Sequence, residues 1–319
     1  MSIVELSTGK RFEALPDQSI LASALAQGLV LEHSCKTGRC GVCKTKVNAG
    51  ETIVLQVEES LSEQEQQVGV ILTCCRSAST DVSIDAEDLS FLAGIETKTL
   101  PCRIDSLEKI SHDVLQVILR LPPNQPLRYL AGQYIDLIAN GIRRSYSVAN
   151  AQRDDNKIVL DIRYVEQGQM SEYLFHRAKA NDLLRLEGPL GTFCLRESTK
   201  TPLFIATGTG IAPIKAMIES LPSNQPITVY WGGRVVEDIY WKDTPDNVNL
   251  IPVLSRADDG WSGKRGYVQQ AVISDSIDLS TVVVYACGSE SMIRDAKAHF
   301  IQEGLSEKDF YSDAFVSSS

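Results

Sequence analysis

The sequence predicts an α+β multidomain chain in three parts: a small β-grasp domain, an antiparallel β-barrel domain and an α/β domain on a parallel sheet. Three observations carry this. The first quarter sets short strand runs around one apolar-faced helix and a group of cysteines. The next hundred residues give repeated strand runs broken by turn residues, and from about Lys200 the pattern becomes strand, glycine-rich turn, helix. A chain of 319 residues can bury two or three separate cores. The boundaries are expected at 1–92, 99–198 and 199–319, because the patterning lapses between Leu89 and Leu100.

In the first domain, Ile3 to Leu6 alternates, and Ser19 to Gly28 carries a helical apolar face through Ile20, Leu21, Ala24 and Leu25, with Gly28 as its stop. Ser60 and Glu63 have capping-box spacing for a short acidic helix, and Val82-Ser83-Ile84 reads as a closing strand. Cys35, Cys40, Cys43 and Cys74 follow the C-x4-C-x2-C…C spacing that holds a 2Fe-2S cluster. Gly38 and Gly41 let the backbone turn tightly enough to aim amides at the sulfurs. Zinc is the alternative ion, and the four-residue first gap weighs against it. Ile71-Leu72-Thr73-Cys74-Cys75-Arg76 resembles the I-L-T-C of plant-type ferredoxins, which implies Cys74 as the fourth ligand and Cys75 as a bystander thiol. His33 lies two residues before Cys35; with four cysteines already present it reads as structural.

The net charge of -10 argues against nucleic acid as a partner. Residues 1–94 hold 13 acidic against 7 basic side chains, so the acidity sits with the cysteine cluster. It serves solubility, or it steers the domain towards a basic face on a protein electron acceptor. No apolar run approaches the about 20 residues that span a bilayer, and the start lacks the regions of a signal peptide. A cytoplasmic protein with reduced thiols and no membrane insertion is therefore expected.

In the middle domain, strand runs at Val114–Leu121, Gln133–Ala139 and Ile158–Val165 are separated by Pro122-Pro123-Asn124 and Asp154-Asp155-Asn156. Arg144-Ser145-Tyr146-Ser147 sets a guanidinium, an aromatic face and a hydroxyl on one strand, with Arg144 and Tyr146 on the same side. Such a set can hold a pyrophosphate and a flavin ring, or be an ordinary strand edge. Arg163 follows, then Gly168-Gln169-Met170-Ser171 at the start of a helix whose amides suit a phosphate, then Gly188-Pro189-Leu190-Gly191-Thr192-Phe193. In this order the pieces resemble the ferredoxin-NADP reductase superfamily. The resemblance implies FAD bound by Arg144, Tyr146 and Ser147, with Arg163, Met170 and Ser171 as further cofactor positions and Ser171 at a phosphate.

In the third domain, Thr207-Gly208-Thr209-Gly210-Ile211-Ala212-Pro213 joins a buried strand to a helix, so that helix-start amides can face a pyrophosphate. Pro213 stands where dehydrogenases have a third glycine, and G-x-G-x-x-P resembles the same superfamily. Tyr285-Ala286-Cys287-Gly288-Ser289 is similar to its C-G pair, which implies that Cys287 and Gly288 lie at the nicotinamide end, Cys287 without acting as a nucleophile. The terminal aromatic of that family, stacked on the flavin and displaced by nicotinamide, corresponds to Phe315, which otherwise reads as a core residue of the last strand. Ser147, Cys287 and Phe315 are the positions expected beside the hydride path. Ser255, Arg256, Arg265, Tyr267 and Gln269 match the 2′-phosphate pocket of photosynthetic members, which favours NADPH; the overall resemblance favours NADH, and both stay open.

Ferredoxin part, flavin barrel and nicotinamide part together cover the whole chain and resemble the iron-sulfur flavoprotein reductases, among them the benzoate dioxygenase-type oxygenase reductases. The segments Tyr129–Leu137, Arg143–Ser147, Leu72–Cys75, Tyr285–Gly288 and Ser312–Phe315 are similar to the CDP-6-deoxy-Δ3,4-glucoseen reductases, which reduce a partner dehydrase in 3,6-dideoxysugar synthesis. The resemblance implies an NAD(P)H:acceptor oxidoreductase in which a hydride pair is split at FAD and passed singly through the cluster to a protein acceptor. That acceptor is a dehydrase or, alternatively, an oxygenase component; a flavin and iron-sulfur redox sensor is the reading from another class. Four scattered histidines and no G-x-S-x-G leave hydrolytic chemistry without a site.

Overall fold

The computed structural model describes residues 2–315 and divides into two compact units, residues 2–96 and 97–315. Among the described residues no helix is long and apolar enough to cross a membrane.

The first unit is a β-grasp. Its five-stranded sheet runs in the order Arg11–Ala14, Ser2–Leu6, Val82–Ile84, Lys44–Ala49, Val70–Leu72, and its central pair, Ser2–Leu6 with Val82–Ile84, is parallel. Helix Ile20–Ala26 starts where the Ser19 hydroxyl accepts the Ala22 amide (3.1 Å), and it packs Ile20, Leu21 and Ala24 onto Val4, Leu6, Leu72 and Ile84. The acidic helix, Glu63–Gln67, begins two residues later than its sequence signature suggested. Its capping box is Ser62 with Glu65, because Ser60 donates its amide to Gly38 (3.0 Å) in the cysteine loop while Lys44 draws in Glu65 at 2.6 Å.

The second unit begins with an antiparallel sheet ordered Ile142–Ser147, Tyr134–Ala139, Leu183–Leu190, Lys98–Lys109, Val114–Arg120, Lys157–Arg163. The sheet closes where the Ala149 amide donates to the Val159 carbonyl (2.8 Å) and Asn150 Oδ1 accepts the Val159 amide (2.7 Å). Part of the expected linker is strand: Leu100, Cys102 and Ile104 alternate inward from Lys98 onward, a period too short before Leu100 to show in the sequence.

The remainder is a six-stranded parallel sheet ordered Lys264–Arg265, Val248–Leu254, Ile227–Gly233, Thr201–Thr207, Val282–Ser289, Phe310–Phe315. The chain lays strands to one side of Thr201–Thr207 and then crosses to the other. The carboxyl end of that strand is therefore the topological switch point, where open α/β sheets bind ligands.

Candidate functional site

The four predicted cysteines converge in the first unit as two pairs. Cys43 and Cys74, both buried, hold their sulfurs 3.3 Å apart, while the Cys35 and Cys40 sulfurs each accept the other residue's amide, at 3.4 and 3.5 Å. Thr37 adds a third amide, 3.4 Å from the Cys35 sulfur. The turns that aim these amides run through Gly38 and Gly41 at φ 79° and 73°. A side chain at Gly38 would also strike the Val57 carbonyl and, at 2.8 Å, the Cys75 sulfur. The hydrogen bond between Cys35 and Cys40, helped by the Thr37 and Cys40 amides against burial, holds the Cys35 thiol down at about 4, while the same bond and burial push the Cys40 thiol up. Two thiol pairs with amides directed at sulfur are a donor set that fits a two-iron cluster, which these four cysteines would hold.

Cys75 is fully buried, with its sulfur 3.5 Å from that of Cys74 and its thiol directed at the Val57 carbonyl (3.6 Å). Burial keeps that thiol protonated. His33 is buried with Nδ1 2.8 Å from the Leu31 carbonyl, and desolvation lowers it to about 4, so it stays neutral.

In the barrel, the register sets Tyr146 opposite Ile135 and Arg144 opposite Leu137, so both side chains share one face. Arg143 and Ser145 take the other face. There Asp136 receives Arg143 (3.0 Å) and Ser145 (2.6 Å), and Glu187 receives Arg143 (2.9 Å). Among the described residues Arg144 donates only to the neighbouring Arg143 carbonyl (2.7 Å) and meets no carboxylate, which leaves its charge for an anionic ligand. Burial holds the Tyr146 phenol protonated. Ser147 lies buried opposite Tyr134, on the far face from Tyr146. Met170 and Ser171 are buried in the first turn of helix Gln169–His176. The Ser171 hydroxyl lies 2.9 Å from both the Val165 and Gly168 carbonyls and accepts the Val165 amide (3.2 Å); it fastens the turn, so the first-turn amides are the donors left for a phosphate.

Gly208-Thr209-Gly210 forms a turn at the switch point and runs into helix Ile211–Ser220, with Pro213 buried in its first turn. The two glycine motifs meet here. A side chain at Gly210 would strike Cys287 and come within 2.9 Å of Gly288 Cα, and one at Gly288 (φ 147°) would lie 3.0 Å from the Thr207 nitrogen. Thr207 Oγ1 accepts the Ser289 amide (3.1 Å), and Trp231 Nε1 donates to the Gly208 carbonyl (2.9 Å). Arg163 closes the group from the barrel side. Its guanidinium would be 3.7 Å from a side chain at Gly208, and it is held by Asp113 at 2.7 Å. Cys287 has no exposed surface, and burial followed by the Asp313 charge keeps its thiol protonated. Phe315 is 39% exposed at the sheet edge, in register with Ser289.

Of the five nucleotide-specificity positions, Ser255 and Arg256 bond by their amides to the Gly233 and Arg234 carbonyls (3.0 and 2.8 Å), leaving the Arg256 side chain exposed. Arg265 is otherwise engaged: its guanidinium donates to the Ala257, Asp258 and Trp261 carbonyls at 3.1, 2.6 and 2.9 Å. Tyr267 is exposed, whereas Gln269 is buried with its Oε1 unpartnered.

Sequence reasoning missed the residues that join the nucleotide turn to the barrel. Lys215 Nζ lies 2.9 Å from Asp161 Oδ2, and Glu219 receives the Ala151 amide (2.9 Å) and Arg153 (2.8 Å). Tyr240, 3.5 Å from Asp161, packs its ring edge-on to Trp231 with centroids 4.9 Å apart.

Three family models match along the chain in the order of these sites. They are the 2Fe-2S iron-sulfur cluster binding domain over residues 3–79, the oxidoreductase FAD-binding domain over 101–194 and the oxidoreductase NAD-binding domain over 204–298. This combination defines an NAD(P)H oxidoreductase that carries FAD and a 2Fe-2S cluster. The chain is 44% identical over 310 residues to the CDP-6-deoxy-L-threo-D-glycero-4-hexulose-3-dehydrase reductase of Yersinia pestis, 94% of each chain being covered. It is 42% identical over 316 residues to protein RfbI of Salmonella typhimurium, covering 96% of this chain and 94% of that one. The crystal structure of the Amycolatopsis cytochrome P450 reductase GcoB matches with a TM-score of 0.75 at 27% identity, covering 100% of both chains. The chain belongs to the iron-sulfur flavoprotein reductases of the ferredoxin-NADP reductase superfamily.

Proposed function

We propose that this reductase passes electrons from NADH to the dehydrase of a CDP-6-deoxy-hexulose system. The reading rests on the 44% identity, over an alignment of 310 residues that covers 94% of the chain, to a reductase named for that dehydrase. When bound, FAD and the 2Fe-2S cluster supply the conversion of a two-electron donor into single electrons. Cys35, Cys40, Cys43 and Cys74 hold the cluster. Arg144 would bind the flavin diphosphate, with the first-turn amides at Met170 and Ser171 beside it, while Tyr146 would border the ring from its face of the strand and Ser147, the last residue of that strand, from the strand end. Gly208, Thr209, Gly210 and Pro213 shape the turn that receives the nicotinamide diphosphate, and Arg163 flanks it. Gly288, with Cys287 enclosed beside it, would border the nicotinamide, and Phe315 would border the flavin ring.

NADH is favoured over NADPH because the Arg265 guanidinium is spent on three backbone carbonyls, leaving Arg256 beside Ser255 and Tyr267 to meet a 2′-phosphate. The reading includes a cytoplasmic site of action, supported by eight free thiols. Anaerobic turnover with NADH and a purified CDP-6-deoxy-hexulose 3-dehydrase tests the acceptor. Saturable reduction supports it; a protein that reduces cytochrome c but not the dehydrase serves another acceptor. The second reading, an oxygenase reductase, is favoured by the end-to-end likeness to a cytochrome P450 reductase.

A further inference from the structure

In the first unit, strand Thr52–Val54 pairs on one side only, with Arg76–Ala78, and it leads into residues that carry apolar side chains into solvent. Ile53, Val54, Leu55 and Val57 are all exposed, Val57 to 73%. Single exposed apolar residues are ordinary, but four within five positions, at and just beyond a strand that pairs on one side only, are a local concentration of exposed apolar side chains of the kind that marks an interaction site.

The same segment is bonded directly to the cysteine site. The Leu55 and Gln56 amides donate to the Cys75 carbonyl at 2.8 and 3.3 Å, and Gln56 Nε2 donates to the Cys74 carbonyl at 2.8 Å. The Cys75 thiol returns a bond to the Val57 carbonyl at 3.6 Å. The patch is thus one hydrogen bond from the backbone of the fourth cysteine. From Val47 to Cys75 the sequence holds five glutamates and no basic residue. Arg76 neutralises Glu58 (2.7 Å) and Lys44 neutralises Glu65 (2.6 Å), whereas Glu51 and Glu63 are exposed and, among the described residues, have no cation paired to them. Glu59 is also exposed, with Arg39 at 3.3 Å, and Lys36 remains as an exposed cation of the cysteine loop.

We propose that the ridge Ile53, Val54, Leu55 and Val57 is the docking surface for the protein electron acceptor, whose matching face is an apolar patch ringed by basic side chains. This rests on the electron-transfer reading above. The apolar centre supplies affinity and the acidic rim supplies orientation and encounter rate.

The test uses holoenzyme carrying Ile53→Asp, Val57→Asp or both, at exposed positions where substitutions leave folding largely intact. Three quantities are compared with wild type: NADH-driven ferricyanide reduction, the rate of cluster bleaching after mixing with NADH, and the KM for the purified dehydrase. The first two are expected unchanged and the KM raised about tenfold or more, one decade of affinity. An unchanged KM overturns the proposal. So does slowed cluster bleaching, which assigns the ridge to the chain's own flavin unit, and so does a wild-type dimer that the variants convert to monomer, which assigns it to a second copy. If wild type does not reduce the dehydrase, the acceptor reading fails by itself, and the comparison is made with cytochrome c, a basic acceptor. A raised KM there supports the ridge and an unchanged one overturns it.

Discussion

Lys215 Nζ lies 2.9 Å from Asp161 Oδ2, joining the helix that begins at the nucleotide turn to the barrel strand that ends at Arg163. The Asp161 carboxylate is wholly enclosed, with Gln116 3.2 Å from its other oxygen and the Tyr240 hydroxyl 3.5 Å from the first. A carboxylate so buried is tolerable only while it is paired, so the pair fixes the approach of Gly208-Thr209-Gly210 to the flavin barrel. Lys215→Met leaves the charge stranded and is expected to cost about 3 kcal/mol of stability. It is also expected to slow flavin reduction by NADH, with the cluster spectrum unchanged. Urea unfolding and rapid mixing measure the two effects. Adding Asp161→Asn restores part of the stability, and the double-mutant cycle gives the coupling. A variant with both quantities at wild-type level contradicts the role given to the pair.

Gly210 and Gly288 bring two chain segments together without side chains. Gly210→Ala is expected to weaken NADH binding by about tenfold or more, one decade of affinity, because the new methyl meets Cys287 and Gly288 backbone that has nowhere to move. FAD and iron content remain at wild-type levels in the purified variant. Equal NADH affinity by titration would place the nucleotide elsewhere.

Neighbouring arginines on one strand separate function from support. Arg144→Ala is expected to purify depleted of FAD and to bind it about tenfold to a hundredfold more weakly, the loss of one charge-assisted bond. Arg143→Ala, whose guanidinium is bound by Asp136 and Glu187, keeps its FAD. The flavin-to-protein absorbance ratio reads both; the reverse outcome exchanges their roles.

Cys74 and Cys75 are adjacent, but only Cys74 pairs with Cys43, at 3.3 Å. Cys74→Ser is expected to abolish cluster-dependent reduction of cytochrome c and spare ferricyanide reduction at the flavin. Cys75→Ser leaves iron and sulfide content and both activities intact. Loss of the cluster from Cys75→Ser alone would reverse the ligand choice.

The arrangement that one short segment sets was legible in the sequence: the four cysteines converge, Arg144 and Tyr146 share a face, and Gly210 meets Gly288. Cysteine spacing is set by the geometry of the cluster, R-x-Y by strand alternation, and the glycine turn by its need for close backbone approach, so each shows within a few residues. Contacts between distant segments were not legible. Lys215 and Asp161 are 54 positions apart and are residue types common on any surface, so nothing local marks them as a buried pair. Arg265 looked like a phosphate ligand because its identity fits that role, but its loop folds back and supplies three carbonyls that the spacing does not reveal. The capping box slipped from Ser60 to Ser62 because a tertiary bond to Gly38 had already claimed Ser60.

The most direct test of the central claim is stopped-flow absorbance of the holoenzyme, mixed anaerobically with NADH and separately with NADPH. Rapid bleaching of the flavin followed by bleaching of the iron-sulfur bands, faster with NADH, is the predicted result. A flavin that neither nucleotide reduces would contradict the electron-transfer account and leave a redox sensor as the reading of these cofactors.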